Sequence, residues 1–140
     1  MILRPPPRVK ILEALGALVD GRVHMVAEGR CEVTSSEGDR KYHVVIQGSE
    51  AYSDDNGTMY RGYVGYPIIA CLMAAGVLPV DMELGKKIRE VPWRKLNQQF
   101  KKYEEVMKYI YRERNIESQK AERYVDMVTK KLKEMQLRKK

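Results

Sequence analysis

The tyrosines of this chain are concentrated in one short stretch, where they alternate with arginine and glycine. Four of the nine tyrosines lie within fifteen consecutive residues, and residues 59–67 read MYRGYVGYP. Aromatic rings stack on unpaired bases while arginine and lysine contact phosphates, so this combination is typical of surfaces that bind single-stranded nucleic acid. The stacking candidates in and near this stretch are Tyr42, Tyr60, Tyr63 and Tyr66.

The positive charge of the chain lies mostly in its C-terminal third. The formal net charge is +7, with −3 on residues 1–85 and +10 on residues 86–140. A positive potential of this kind attracts polyanions such as the phosphate backbone of a nucleic acid. The residues predicted to contact phosphates are Arg22, Lys41, Arg61, Lys86, Lys87 and Arg94.

Residues that could perform catalysis or bind metal are few and poorly spaced. The two histidines, His24 and His43, and the two cysteines, Cys31 and Cys71, show no paired-ligand spacing. The acidic stretch 54–57 lacks the alternation of a calcium loop, and its Asn-Gly step predicts a hairpin turn instead. We therefore expect no enzyme, no cofactor and no metal.

Compartment and membrane contact are predicted from the cysteines and the hydropathy. Cys31 and Cys71 are expected to be buried thiols in a reducing compartment, which favours the cytoplasm. The longest apolar run, Ile68 to Leu78, is too short to span a membrane. The N-terminal residues lack the apolar segment of a secretory signal, so we expect no membrane association.

The local patterns predict an α+β fold. An N-terminal helix begins after Pro7 and ends at Asp20-Gly21, and a strongly apolar helix begins at Tyr66-Pro67. Between them, four β-patterned segments predict a four-stranded antiparallel meander packed on helices; they are residues 22–27, 30–35, 40–47 and 58–64. Alternation along these strands predicts one basic and aromatic face that carries Arg22, His24, Lys41, His43, Arg61 and Tyr63.

Two amphipathic segments make up the C-terminal part. Apolar residues recur at heptad spacing from Trp93 to Ile110, the register breaks near Asn115, and a last helix follows at about 117–138. The prediction is a nucleic-acid-binding domain at 1–114 and a coiled-coil-like helical arm at 115–140. We expect the arm to form a homo-oligomer, a dimer or tetramer, through Val125, Val128, Leu132 and Met135.

These elements together resemble the ThermoDBP-type single-stranded DNA-binding proteins of thermophilic archaea. The resemblance covers most of the chain and rests on the order of elements and on the stretch Tyr60 to Tyr66 before the apolar helix. It implies sequence-independent binding of single strands in an aromatic cleft, and an oligomer that protects exposed strands. Here the basic excess lies in the C-terminal helices, which suggests that Lys86, Lys87, Arg89, Arg94 and Lys95 border the cleft.

Two other functions use the same residues. The C-terminal helices could dock a protein partner, because tyrosine and arginine are also frequent in protein interfaces. RNA could replace DNA as the ligand, because discrimination of the 2′-hydroxyl depends on a few contacts that the sequence does not locate. Single-stranded DNA is the preferred prediction.

Overall fold

A mixed five-stranded sheet packs one of its faces on helices, and a computed structural model describes all residues 1–140. The helices are α1 (Val9–Val19), α2 (Tyr66–Ala74), α3 (Met82–Lys87), α4 (Trp93–Gln99), α5 (Tyr103–Glu113) and α6 (Ser118–Met135). The strands are β1 (Val23–Ala27), β2 (Arg30–Thr34), β3 (Lys41–Gln47), β4 (Glu50–Ser53) and β5 (Arg138–Lys139). A π-helical turn, Gly57–Arg61, lies between β4 and α2. The predicted α+β class is confirmed.

The sheet runs in the order β1-β2-β3-β4-β5. Each of the first four strands pairs antiparallel with the next strand along the chain, whereas β5 pairs parallel to β4 through Glu50 and Arg138. The sheet is therefore mixed, and the prediction of a purely antiparallel sheet of four strands is corrected. Alternate residues of the central strands, such as Val33 and Val44, are buried against the helices, and their neighbours face solvent.

The predicted fourth strand at residues 58–64 is wrong. The strand that pairs with β3 is β4, reached through a two-residue turn at Gly48-Ser49 in which Gly48 has a φ of 56°. Residues 57–61 form the π-helical turn because the Asp55 carboxylate accepts hydrogen bonds from the Thr58 amide and hydroxyl, at 3.1 and 2.9 Å. The predicted hairpin turn at Asn56-Gly57 is wrong for the same reason.

A disulfide joins Cys31 of β2 to Cys71 of α2, with their Cα atoms 5.9 Å apart. Both residues are buried, as predicted, but the prediction of reduced thiols is wrong. The bond connects the sheet to the helix beneath it across 40 residues of sequence. Disulfides are typical of oxidising compartments and also occur inside hyperthermophilic cells, so a cytoplasmic location stays a prediction.

The heptad pattern after Trp93 does not form one continuous helix. The backbone is extended at Phe100 and Lys102, so α4 ends and α5 begins in a new direction. Phe100 then packs against Tyr109 of α5, with ring centroids 5.3 Å apart. The predicted break at Asn115 is confirmed, since this residue has a φ of 53° between α5 and α6.

The apolar side of α6 packs on the chain's own core. Val125 and Val128 are fully buried and Leu132 nearly so, while Met135 is half-buried against the same cluster. This core is continuous from α1 to α6, across the predicted boundary at residue 115. These four side chains therefore do not form a free arm but pack in the chain's own core, and self-association through them stays a prediction.

Candidate functional site

Two adjacent cavities lie where α1 meets the π-helical turn, α4 and α5. We call the first the tyrosine chamber; it has a volume of about 200 Å³ and is lined by Lys10, Asp55, Asn56, Gly57, Arg61, Tyr63, Tyr66 and Tyr103. We call the second the polar chamber; it has a volume of about 230 Å³ and is lined by Lys10, Glu13, Arg22, Ser35, Ser36, Tyr66, Trp93, Arg94, Asn97 and Gln98. Lys10 and Tyr66 line both chambers.

Two glycines position the wall of the tyrosine chamber. A Cβ atom on Gly57 would lie 2.4 Å from the Tyr63 ring, and one on Gly65 would lie 2.0 Å from the Asp55 carboxylate. These glycines therefore let the ring and the carboxylate pack directly on the backbone. The N-terminal segment fixes the other side, because Arg4 accepts a hydrogen bond from the Val64 amide at 3.0 Å and donates to the Gly62 carbonyl at 2.9 Å.

A largely buried ion pair, Lys10–Glu13, lines the polar chamber, and its lysine also lines the tyrosine chamber. Lys10 and Glu13 lie one turn apart on α1, with Nζ and Oε1 separated by 3.1 Å and both side chains largely buried. Burial is the largest single influence on Lys10 and lowers its pKa, but the Glu13 carboxylate together with Tyr103 and Tyr63 raises that pKa above its ordinary value. Lys10 is therefore charged at neutral pH, with its ammonium 5.1 Å from the centre of the Tyr103 ring.

Tyr63 and Tyr66 remain neutral hydrogen-bonding groups at neutral pH. Burial is the main cause of a raised pKa at Tyr63 and at Tyr66, and the Glu13 carboxylate adds to the rise at both. Tyr42 packs edge-on against Tyr66, with ring centroids 6.0 Å apart, and so supports it from the sheet. Tyr63 and Tyr66 thus present uncharged aromatic surface beside two cations, Lys10 and Arg61.

The polar chamber contains a preorganised set of hydrogen-bonding groups. Asn97 donates from Nδ2 to the Glu13 carboxylate, which fixes the orientation of its amide. The Arg22 guanidinium donates to the Thr34 carbonyl at 2.7 Å and lies 3.8 Å from the Asp20 carboxylate. Three buried side-chain atoms in this chain have no partner, namely Arg22 Nη2, Trp93 Nε1 and Asn97 Oδ1, and all three belong to residues that line this chamber.

Arg94 lies at the rim of the polar chamber and is already paired. Its Nη1 contacts Glu37 at 3.0 Å and Asp39 at 2.8 Å, on the turn between β2 and β3. The hydrogen bond from Arg94 holds the pKa of Asp39 well below its usual range. A phosphate at Arg94 would therefore compete with two carboxylates.

The structure brings together about half of the residues predicted to form a binding site. Arg22, Tyr66 and Arg94 line the polar chamber, and Arg61, Tyr63 and Tyr66 line the tyrosine chamber. Lys41 lies instead on the outer face of the sheet, 3.7 Å from Glu32, and Tyr60 projects from the π-helical turn with 80% of its surface exposed. Lys86 and Lys87 lie on α3, and neither lines the chambers.

The predicted basic face of the sheet does not form. His24, Lys41 and His43 share the outer face with Glu32, which approaches both Lys41 and His43 within 3.7 Å. Arg22 points to the other side of the sheet, and residues 61 and 63 are not in a strand. The assignment fails because it depends on the incorrect strand at 58–64.

The site residues that sequence reasoning missed include Lys10, Glu13, Trp93, Asn97 and Tyr103. One signal was available, since Glu13 falls among the apolar positions of α1 and is only 4% exposed. A carboxylate at such a position needs a partner, and partners mark a polar site in the core. Trp93 and Tyr103 could not be recognised as site residues from the sequence, because both fit the apolar heptad positions of a helical core.

The fold and site define an α+β protein with a mixed sheet and a two-chamber polar and aromatic cleft. The family described as Uncharacterised conserved protein UCP014422 matches residues 3–138, and the chain belongs to this family. No curated protein and no solved structure matches the chain. None of its helices has the length and hydropathy that crossing a membrane requires. No three His, Cys, Asp or Glu residues are grouped as metal ligands.

Proposed function

We propose that this protein binds single-stranded nucleic acid, DNA in preference to RNA, and that the tyrosine chamber receives an unstacked base. The observation that carries the proposal is the convergence of Tyr63, Tyr66 and Tyr103 with Lys10 and Arg61 around one recess. Proteins that hold single strands combine aromatic surfaces for bases with cations for phosphates. The basic C-terminal third supplies further positive potential for the backbone.

The recess favours single strands over duplexes. A base can enter a cavity of about 200 Å³ only when it has left the helical stack, which costs energy in a duplex and little in a single strand. The chain also offers no recognition helix of a duplex-binding motif. Cleft binding of one or a few bases is therefore consistent with the small volume.

Fluorescence anisotropy with labelled strands of mixed sequence tests the proposal. Single-stranded DNA should bind clearly more tightly than duplex, with an affinity that falls linearly with salt in a log–log plot. Tyr63→Ala and Tyr103→Ala should each weaken binding about 5- to 150-fold, the loss of one stacked base. Tyr52→Ala, on the outer face of β4, is the matched control and should bind like the parent protein.

Each other outcome has a definite meaning. Loss of binding in the Tyr52 variant, with normal binding in the Tyr63 and Tyr103 variants, would place the strand on the outer sheet face and refute the chamber. Equal, weak binding of single strands and duplex would mean that the basic C-terminal third attracts any polyanion without specificity, and would refute the proposed single-strand binding. Tighter binding of an RNA strand of the same sequence would reverse the preference for DNA.

A second candidate function, association with another protein, is favoured by an exposed apolar patch. The methionine patch consists of Pro79, Val80, Asp81, Met82, Glu83, Lys120, Arg123, Tyr124 and Met127. Met82 and Met127 are exposed by 50% and 45%, although both are large apolar side chains. Exposed patches of this kind, with polar rims, mark association surfaces.

The charges around the methionine patch favour a second copy of the chain as the partner. Asp81 and Glu83 lie on the α3 side, and Lys120 and Arg123 lie on the α6 side. A two-fold axis through the patch would set the acidic side of one copy against the basic side of the other. Light scattering should then give the mass of a dimer for the parent protein and of a monomer for Met127→Glu. A monomeric parent protein would refute this second candidate function.

A further inference from the structure

The polar chamber holds all of the unsatisfied hydrogen-bonding capacity in the buried side chains of this protein. Arg22 Nη2, Trp93 Nε1 and Asn97 Oδ1 have no partner, and no other buried side-chain nitrogen or oxygen is in this condition. Native proteins leave very few such atoms, because an unpaired buried polar group costs about 1–3 kcal/mol. The coincidence of three on one cavity of about 230 Å³ indicates that something binds there.

The three atoms define the chemistry of the ligand. The guanidinium and indole nitrogens can only donate, and Asn97 Oδ1 can only accept because Nδ2 already donates to Glu13. The indole edge lies against Gly16, where a Cβ atom would be 2.7 Å from Nε1, which leaves the side chains of Arg22 and Asn97 as the pair that would bind a ligand. A fitting ligand presents an acceptor beside a donor on one small, flat edge.

The hydrogen-bonding edge of a nucleobase has this arrangement. Each of the bases carries at least one acceptor and one N–H donor on the same edge, and single-stranded bases are recognised through these edges. The polar chamber also adjoins the tyrosine chamber through Lys10 and Tyr66, so a base there would be continuous with a bound strand. Its other polar walls, Ser35 and Ser36, come from the turn after β2.

We propose that the polar chamber binds the edge of one nucleobase through Arg22 and Asn97, and that the protein therefore prefers certain bases at one position of its strand. This inference rests on the proposed binding of single strands and replaces the expectation of sequence-independent binding. Glu13 and Lys10 act as positioning residues, because the Lys10–Glu13 pair holds the Asn97 amide in its orientation. The same chemistry would accept a free nucleotide.

Anisotropy titrations compare four homo-oligonucleotides and one strand of abasic sugar phosphates at a single salt concentration. The parent protein should prefer its best base over its worst by about tenfold, the contribution of one to two hydrogen bonds. Asn97→Ala should bring the four affinities within about twofold of one another and leave binding of the abasic strand unchanged. Gln99→Ala, an exposed position of the same helix outside the chamber, is the matched control.

Two further measurements separate loss of a hydrogen bond in the polar chamber from loss of the fold. Trp93→Phe removes the indole N–H and retains most of the packing. A loss of base preference in this variant that is smaller than in Asn97→Ala would show that Trp93 Nε1 also contacts the base. Thermal unfolding of each variant identifies any that has lost its fold, and a folded Arg22→Lys variant then replaces Asn97→Ala if that variant unfolds. Equal binding of all four bases by the parent protein overturns the inference, with water alone filling the chamber.

Failure of the inference and failure of the proposed function are distinguishable. Strong but base-independent binding of single strands overturns only the inference. No strand binding, together with base-selective binding of free nucleoside monophosphates that Asn97→Ala abolishes, supports the chamber and refutes the strand function. No binding of strands or nucleotides refutes both.

Discussion

Reduction of the Cys31–Cys71 disulfide is expected to lower the free energy of unfolding by about 4 kcal/mol. The bond closes a loop across 40 residues of sequence, and the loss of chain entropy in the unfolded state gives about 4 kcal/mol at 25 °C for a loop of this length. Domains of this size are typically stable by about 5–15 kcal/mol. The reduced protein should therefore remain folded in the absence of denaturant.

Urea unfolding of the oxidised and reduced protein measures this difference directly, because both forms contain the same side chains. Far-ultraviolet circular dichroism follows the helices, and fluorescence follows Trp93, the single tryptophan, which is 2% exposed. With an unfolding entropy of about 2.1 cal/mol/K per residue, the same loss corresponds to a drop of roughly 13 °C in Tm. The midpoint should fall while the native spectra stay the same.

A variant without the bond separates the cross-link from the reductant. Cys31→Ala/Cys71→Ala should unfold at the same urea concentration with and without reductant, at or below the midpoint of the reduced parent protein. A difference of less than about 1 kcal/mol between oxidised and reduced parent protein would contradict the entropic argument. Two reactive thiols in the unfolded, unreduced chain would show that the bond is absent.

Three other changes test the packing and the charges of the core. Gly16→Ala should destabilise the fold by about 1–3 kcal/mol in urea unfolding, because its methyl group would lie 2.7 Å from the Trp93 ring nitrogen; an unchanged midpoint would show that the indole can move. Val128→Asp should lower the free energy of unfolding by more than about 3 kcal/mol, because an unpaired carboxylate would replace a fully buried side chain; a variant of normal stability that only changes its oligomeric state would restore the arm as an interface. The Lys10 pKa is raised above 10.5 in the folded state, so its stabilising effect is complete below that pH and is lost as the pH rises through the folded pKa. Glu13→Gln should let burial dominate and lower this pKa below its unfolded value, so that the contribution of Lys10 to stability, measured from pH 8 to 11, rises with pH in the variant instead of declining as in the parent protein; parallel profiles would refute the coupling.

Local signals in the sequence predicted the parts of the fold that local interactions determine. Asp20-Gly21 ends α1, and Gly21 adopts a φ of 70°. Tyr66-Pro67 begins α2, with the proline in its first turn. Asn115 separates α5 from α6 with a positive φ. In each case the residue type and its neighbours are sufficient to set the backbone.

Interactions between distant residues account for the errors. Residues 58–64 alternate like a strand, but the backbone hydrogen bonds of Gly62 and Val64 with Arg4, far away in the sequence, impose a different course. The candidate site depends on Glu13 meeting Asn97, 84 residues later, and no local pattern indicates that contact. Part of the site could be predicted from the tyrosines and arginines alone, because side chains of these types line both chambers.

The first and last residues of the chain complete one another's hydrogen bonding. Leu3 donates to the Leu137 carbonyl at 2.8 Å, and Lys139 donates to the Met1 carbonyl at 2.9 Å, beside the parallel pairing of β4 with β5. During synthesis at about 5–20 residues per second, the N-terminal residues wait roughly 7–27 s for these partners. Arg4, which holds the wall of the tyrosine chamber, belongs to the same segment. The sheet therefore gains its edge strand β5 only after residue 139 has been synthesised, later than every other strand.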